Sequence, residues 1–246
     1  MDVKKEMMSD MVTMFILDDS SFDHETLELA GVAGKSFKSI CYVTLDKPSK
    51  EIASSLEKEG VERKRFTFVD CVATSDSPGV IEVPFPRGIA ELEGAIRKAL
   101  SSRKHDAFIF DSLSMLELFK DSKGVEALVH SLVTQMREAR TRTLFTVLRK
   151  DIKKDLTGTL GLFMDRVVGS SMSKRIDHVK ICDDLDVLVE RMFGHDTRTV
   201  VSGHREDVKP EVYIKHWKEM MNVMVGPRNA ETQMSSIARR IMGDIK

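Results

Sequence analysis

The sequence predicts an α/β protein: a mostly parallel sheet flanked by helices, followed by a C-terminal helical extension. Three observations carry this. Short uncharged runs rich in β-branched and aromatic residues alternate with amphipathic stretches of helical period, the pattern of βαβ units whose strands are buried on both faces. Several of the runs end abruptly in aspartate, a residue that caps helices and opens turns. Beyond residue 195 the alternation is lost and helical patterns take over, so the expected division is a core over 1–195 and an extension over 196–246.

Residues 11–17 (MVTMFIL) form the first predicted strand, which stops at Asp18-Asp19; a helix over about 24–32 follows. Residues 39–45 (SICYVTL) form the second, closed by Asp46-Lys47-Pro48. Pro48 suits the start of the next helix, whose inner face is Ile52, Ala53 and Leu56, and Gly60 suits its stop. Residues 66–72 (FTFVDCV) are the third strand, and a polar loop over 73–88 leads to a helix with Ile89, Leu92, Ile96 and Leu100 inward. The fourth strand, 107–110 (AFIF), ends in Asp111-Ser112. The clearest helix spans 121–140, with Val125, Leu128, Val129, Leu132, Val133 and Met136 on one stripe, the i, i+3, i+4, i+7 spacing of a helix covering a sheet. A fifth strand over 143–148, a helix over 155–164 and the run Arg166-Val167-Val168 follow. Farther on, 198–202 has strand character. A helix from Pro210 carries Val212, Tyr213, Trp217, Met220, Met221 and Met224 and is expected to end at Pro227. A last helix over 230–242 presents Met234, Ile237, Ala238 and Ile241.

Composition excludes several classes. The chain has 246 residues, with 38 Lys plus Arg against 39 Asp plus Glu and a formal net charge of -1. That balance argues against nucleic acid as a partner. No apolar run approaches the roughly 20 residues of a membrane helix, and the N-terminus lacks the apolar core of a signal peptide. The 3 cysteines, an odd and widely spaced set, suit free thiols in a reducing cytoplasm better than disulfides or zinc. None of the 7 histidines stands in HExxH or at zinc spacing to a cysteine. His195 and His204, with Asp196, Glu206 and Asp207, read as a solvated loop. No GxSxG elbow supports nucleophilic catalysis.

Open parallel sheets bind ligands outside the C-terminal ends of their strands. Here those ends carry Asp18, Asp46, Asp70 and Asp111. Each alone reads as a cap or turn residue; four together point to a crevice at that edge.

The stretch YVTLDKPSKEIASSLEKEGVERKRFTFVDCV (42–72), with FIFDSLSMLELF (108–119), resembles the KaiC-like branch of the RecA-type ATPases, in which a "YVTLEEP" strand and turn precede a Walker B strand ending in Asp-Ser. The likeness is greatest to archaeal KaiC-like proteins without a P-loop, and it covers about residues 11–168. It implies a RecA/KaiC-like fold. The family's activity needs GxxxxGK(S/T) between the first strand and helix, where backbone N–H groups surround the phosphates, Lys reaches them and the hydroxyl binds magnesium. The matching stretch is DDSSFDHE (18–25): Asp18 and Asp23 stand for the two glycines, His24 for Lys and Glu25 for the hydroxyl residue. One like charge at about 4 Å costs on the order of 4 kcal/mol at an effective dielectric of 20, and each 1.4 kcal/mol is about tenfold in affinity. The GKS at 34–36 is no substitute: its spacing to Gly31 is too short and a strand follows it, so it reads as a helix end with a left-handed glycine. The family's paired catalytic acids are reduced to Asp46, with Lys47 beside it. Asp111 and Ser112 keep the Walker B position.

FILDDSSF (15–22) also resembles the first strand and acidic pair of receiver domains, which leaves Asp18 and Asp19 as metal-ligand candidates; Asp70 and Asp111 lie too far along for the phospho-acceptor. The basic clusters REARTR (137–142) and KDIKK (150–154) read as a solvated helix end and turn, or else as an oligomer contact or nucleic-acid edge. Methionine is abundant, 15 in all, and Met220, Met221 and Met224 with the single Trp217 are partner-contact candidates. The resemblance with its losses implies a non-catalytic regulator or scaffold, in signal transduction among other settings, cytoplasmic, free of cofactor, acting through a protein partner or self-association. The alternatives are an ATPase with an unorthodox site, in which His24 replaces Lys and Asp18, Glu25 or Asp111 holds Mg²⁺ for ATP, and a DNA-binding recombinase relative.

Overall fold

The computed structural model describes residues 2–73, 77–83, 86–119, 121–151, 155–169, 172–176, 178–193 and 210–242. The strands are β1 (Val12–Leu17), β2 (Ile40–Thr44), β3 (Phe66–Asp70), β4 (Val80–Glu82), β5 (Ala107–Asp111), β6 (Arg142–Leu148), β7 (Arg166–Gly169) and β8 (Met172–Arg175). Among the described residues they form one sheet in the order β4-β3-β2-β5-β6-β1-β7-β8. The pairs from β4 through β7 are parallel; β8 closes the edge antiparallel to β7. Strands β1, β2, β3 and β5 are buried at every residue, which is why they read as uninterrupted apolar runs.

Helices α1 (Val3–Ser9), α2 (Phe22–Ser36), α3 (Ser49–Lys58), α4 (Ile89–Ser102), α5 (Ser122–Ala139), α6 (Asp155–Gly161), α7 (His178–Phe193), α8 (Pro210–Val225) and α9 (Pro227–Met242) cover the sheet. One buried cluster joins α2 and α3 to residues of β1, β2, β3 and β5, including Leu29, Ile52, Leu56, Phe15 and Tyr42. The other joins α4 and α5 to Ile181, Leu185, Ile214, Trp217, Met221 and Met234 of the three last helices. Among the described residues no helix is long and apolar enough to cross a membrane. Cys41, Cys71 and Cys182 are free and buried; burial pushes the thiols of Cys41 and Cys71 up to about 12, so they stay protonated and unreactive at neutral pH.

Several expectations need correction. The 73–88 stretch is not all loop: β4 lies in it as a short, half-exposed edge strand. Strand β8 and α7 follow β7, where no element was expected. Helix α6 stops at Gly161 rather than 164. Pro227 does not end α8; Gly226, at φ 85°, makes the break, and Pro227 opens α9, as its missing N–H allows. The region 198–202 and the histidines 195 and 204 lie outside the described residues.

Gly31 and Gly34 are also not a helix end, because α2 runs through to Ser36. Gly34 is a point of close approach. A Cβ there would overlap Cγ1 of Val61 and sit 3.2 Å from the Phe66 ring, so glycine lets α2 press against the start of β3. Gly34→Ala is therefore expected to cost about 2 kcal/mol through overpacking, read as a lower urea midpoint at unchanged slope.

Candidate functional site

The geometry of the crevice starts from β1. The strand ends at Leu17 and α2 begins at Phe22, so only Asp18, Asp19, Ser20 and Ser21 connect them. Ser21 N–H donates to the Asp18 carbonyl at 3.1 Å, which closes the connection as a tight turn rather than an open loop. Inside it lies Glu25. One carboxylate oxygen accepts the Asp18 N–H at 3.3 Å and the other accepts the Ser21 hydroxyl at 2.6 Å. The chain's own carboxylate thus occupies two donors of the turn that leads into α2.

Asp18, Asp23 and Lys47, three of the other departures from the ATPase pattern, are ion-paired. The Asp18 carboxylate pairs with the Arg149 guanidinium just beyond β6, and Asp19 faces Lys150 at 3.7 Å. Asp23, at the second glycine position, pairs at 2.8 Å with Lys47, which stands in the place of an acid. That pair is well exposed and contributes little to stability; its consequence is local charge balance. His24 is exposed on α2.

Asp111 lies deeper. Its Oδ2 accepts the Tyr42 hydroxyl at 2.7 Å and its Oδ1 accepts the Thr146 hydroxyl at 2.8 Å. Burial raises its pKa from 3.8 to about 6, with these two hydrogen bonds opposing the rise. Desolvation and the adjacent negative carboxylate of Asp111 likewise push the Tyr42 phenol well above its usual value. Ser112 is buried, joined to Asp111 by a cis peptide bond. A cavity of about 90 Å³ between α2 and α3 connects Asp111 with Tyr42, Asp46, Lys47, Asp23 and Thr26. Its volume is well below the roughly 300 Å³ at which drug-sized ligands are accommodated.

The strand-end acids thus divide. Asp111 and Asp46 share the cavity. Asp70 is fully buried and structural: its carboxylate accepts Ser49 N–H at 2.6 Å, at the start of α3, and the amides of Val72 and Ala73. Asp18 and Asp19 lie with the β6 cations. Among the described residues no group of three or more His, Cys, Asp or Glu is placed to hold a metal ion. Tyr42, Thr146 and Arg149 were not singled out by the sequence, in which Tyr42 and Thr146 are only two of several polar side chains along β2 and β6. Of the partner-contact candidates, Trp217 and Met221 lie inside the chain's own core, Met220 is half-buried and Met224 is exposed.

No protein-family model and no curated protein matches the chain. Solved structures do. A KaiC-like protein from Pyrococcus horikoshii is 12% identical, with 67% of this chain and 76% of that chain covered and a TM-score of 0.46. A flagellar accessory protein from Methanocaldococcus jannaschii is 15% identical, covering 69% of this chain and 76% of its own, at 0.43. An ATPase of a type III secretion system from pathogenic bacteria is 12% identical, over 94% of this chain and 80% of that one, also at 0.43. The chain is an α/β protein with a mostly parallel sheet flanked by helices. Likenesses of this size carry no argument about activity.

Proposed function

We propose that this chain is a non-catalytic protein of the KaiC-like type, a pseudo-ATPase that works as a regulator or scaffold through protein contacts. The observation that supports it is Glu25. A nucleotide's phosphates would have to enter the turn that leads into α2, and there the Asp18 amide and Ser21 hydroxyl are already held by that carboxylate. Expelling it would place an acid against the incoming anion. The ion pairs Asp18–Arg149 and Asp23–Lys47 support the same reading, because the substituted positions compensate one another instead of leaving cationic charge for a phosphate. Asp111, at the metal-binding position of the family, is satisfied by two hydroxyls.

A thermal-shift series with ATP, ADP, Mg²⁺ and Mn²⁺, singly and combined, tests this. A site holding ATP at one hundred times its Kd adds about 2.7 kcal/mol, roughly 5–10 °C for a chain of this size. The expected result is a flat response. A rise of that size with nucleotide, or ATP hydrolysis abolished by Asp46→Ala or Asp111→Ala, would sink the proposal and favour the rebuilt site. A rise with metal alone would make Asp18 and Asp19 the first residues to replace.

A further inference from the structure

Cations gather along one stretch of the sheet's N-terminal edge. The C-terminal strand ends carry the acids described above. At the opposite edge, Phe66 of β3, Ile40 of β2 and Ala107 of β5 are register partners at the starts of adjacent strands. Each is preceded by cations: Arg63, Lys64 and Arg65 before β3, Lys38 before β2, Arg103 and Lys104 before β5. Neighbouring strands lie about 4.8 Å apart, so these side chains share one ledge.

The arginines are anchored mainly by main-chain carbonyls. Arg103 donates to the carbonyls of Lys64 and Arg65 at 3.2 and 2.9 Å, and Arg63 to those of Phe66 and Pro78 at 3.4 and 3.0 Å. Arg65 donates to the Gly34 carbonyl at 3.1 Å and also pairs with Glu62. A carbonyl orients a guanidinium without cancelling its charge. The carboxylates beside these cations are Glu62, shared by Lys64 and Arg65, Glu57, whose charge acts on Arg63, and Asp106, whose Oδ2 accepts the amides of Lys38 and Ser39; Glu6, Asp10 and Asp165 lie farther along the same edge, engaged by Arg166 and Arg137. Lys38 and Lys104 are exposed and form no ion pair among the described residues.

We propose that this ledge docks an acidic, Glu/Asp-rich segment of a protein partner. The inference rests on the interaction reading above and names the partner's chemistry. Guanidiniums held in fixed orientation match carboxylates in paired hydrogen bonds. Single-stranded nucleic acid fits less well: its binding surfaces supply exposed aromatic rings for base stacking, and the large apolar side chains exposed among the described residues are Met, Leu and Val.

The test is fluorescence anisotropy with a labelled peptide of alternating Glu and Ser, against a single-stranded DNA oligonucleotide of equal charge, at about 50 mM salt, where surface charges are weakly screened. Lys38→Glu with Lys104→Glu is expected to weaken peptide binding about tenfold, from two modest attractions turned into repulsions. Lys123→Glu, an exposed reversal at the start of α5, beyond the C-terminal end of β5, is expected to change it less than twofold. No peptide binding, an equal loss from Lys123→Glu, or tighter binding of the DNA would each overturn the proposal. These outcomes are separable from the pseudo-ATPase reading, which falls on nucleotide hydrolysis and is untouched by the peptide titration.

Discussion

Replacing Trp217 by alanine is expected to lower stability by about 4 kcal/mol, roughly 8–16 °C in midpoint for a chain of this length. The side chain is only 1% exposed, and its Nε1–H donates to the Leu185 carbonyl of α7 at 3.2 Å. It belongs to the cluster that runs from Val125 and Leu128 of α5 through Leu185 and Val189 to Met221 and Met234. The ring therefore joins the last helices to the helical layer on the sheet, and alanine leaves a cavity and removes the indole's hydrogen bond. Because Trp217 is the single tryptophan, its fluorescence reports α8 in the wild type while far-UV circular dichroism reports the whole chain. Coincident urea transitions are expected from the two probes. A fluorescence transition that precedes the dichroism one, with Trp217→Ala leaving the main transition unmoved, would show α8 to be a separate unit.

What the sequence disclosed follows from where each element lies. Strands β1, β2, β3 and β5 are covered on both faces, so burial alone demands a continuous apolar run, and such runs are visible without any partner. Edge strands lack that demand. Val80-Ile81-Glu82 is half-exposed and Met172–Arg175 carries a serine and two cations, so neither shows a period of two long enough to read. Helix α7 is different: Ile181, Leu185 and Val189 are all buried at a spacing of four, a stripe open to sequence reasoning. At the site, the acids at 18, 19, 23 and 25 are legible in the sequence. The cation that Asp18 meets is not, since Arg149 reaches it across 131 positions and no local pattern encodes such a pairing. The two hydroxyls on Asp111 come from strands on either side of β5 and become neighbours only through the register of the sheet.

Asp111→Asn is expected to stabilise the protein at neutral pH, by about 1–3 kcal/mol. Burial sets the folded pKa near 6, above the 3.8 of an exposed carboxyl. The folded state thus binds this proton more tightly than the unfolded chain does. The resulting stability is fully present below about pH 4 and is lost as pH rises through 6, after which the ionised carboxylate costs on the order of 3 kcal/mol. Asparagine removes the charge while its carbonyl accepts one hydroxyl and its amide donates to the other, a reversal both Tyr42 and Thr146 can accommodate. The gain should be full at pH 7.5 and vanish by about pH 4, as read from urea midpoints across that range. Asp111→Ala should do the opposite, leaving two buried hydroxyls without their acceptor at a cost of about 1–3 kcal/mol each. A loss from Asp111→Asn at pH 7.5 would mean that the ionised form is the favoured one. Repeating the titration in Mg²⁺ then decides the cause: a bound cation stabilises the ionised carboxylate, so a loss that deepens with Mg²⁺ would return Asp111 to metal binding, while a loss indifferent to Mg²⁺ would place the whole effect in the hydrogen bonds from Tyr42 and Thr146.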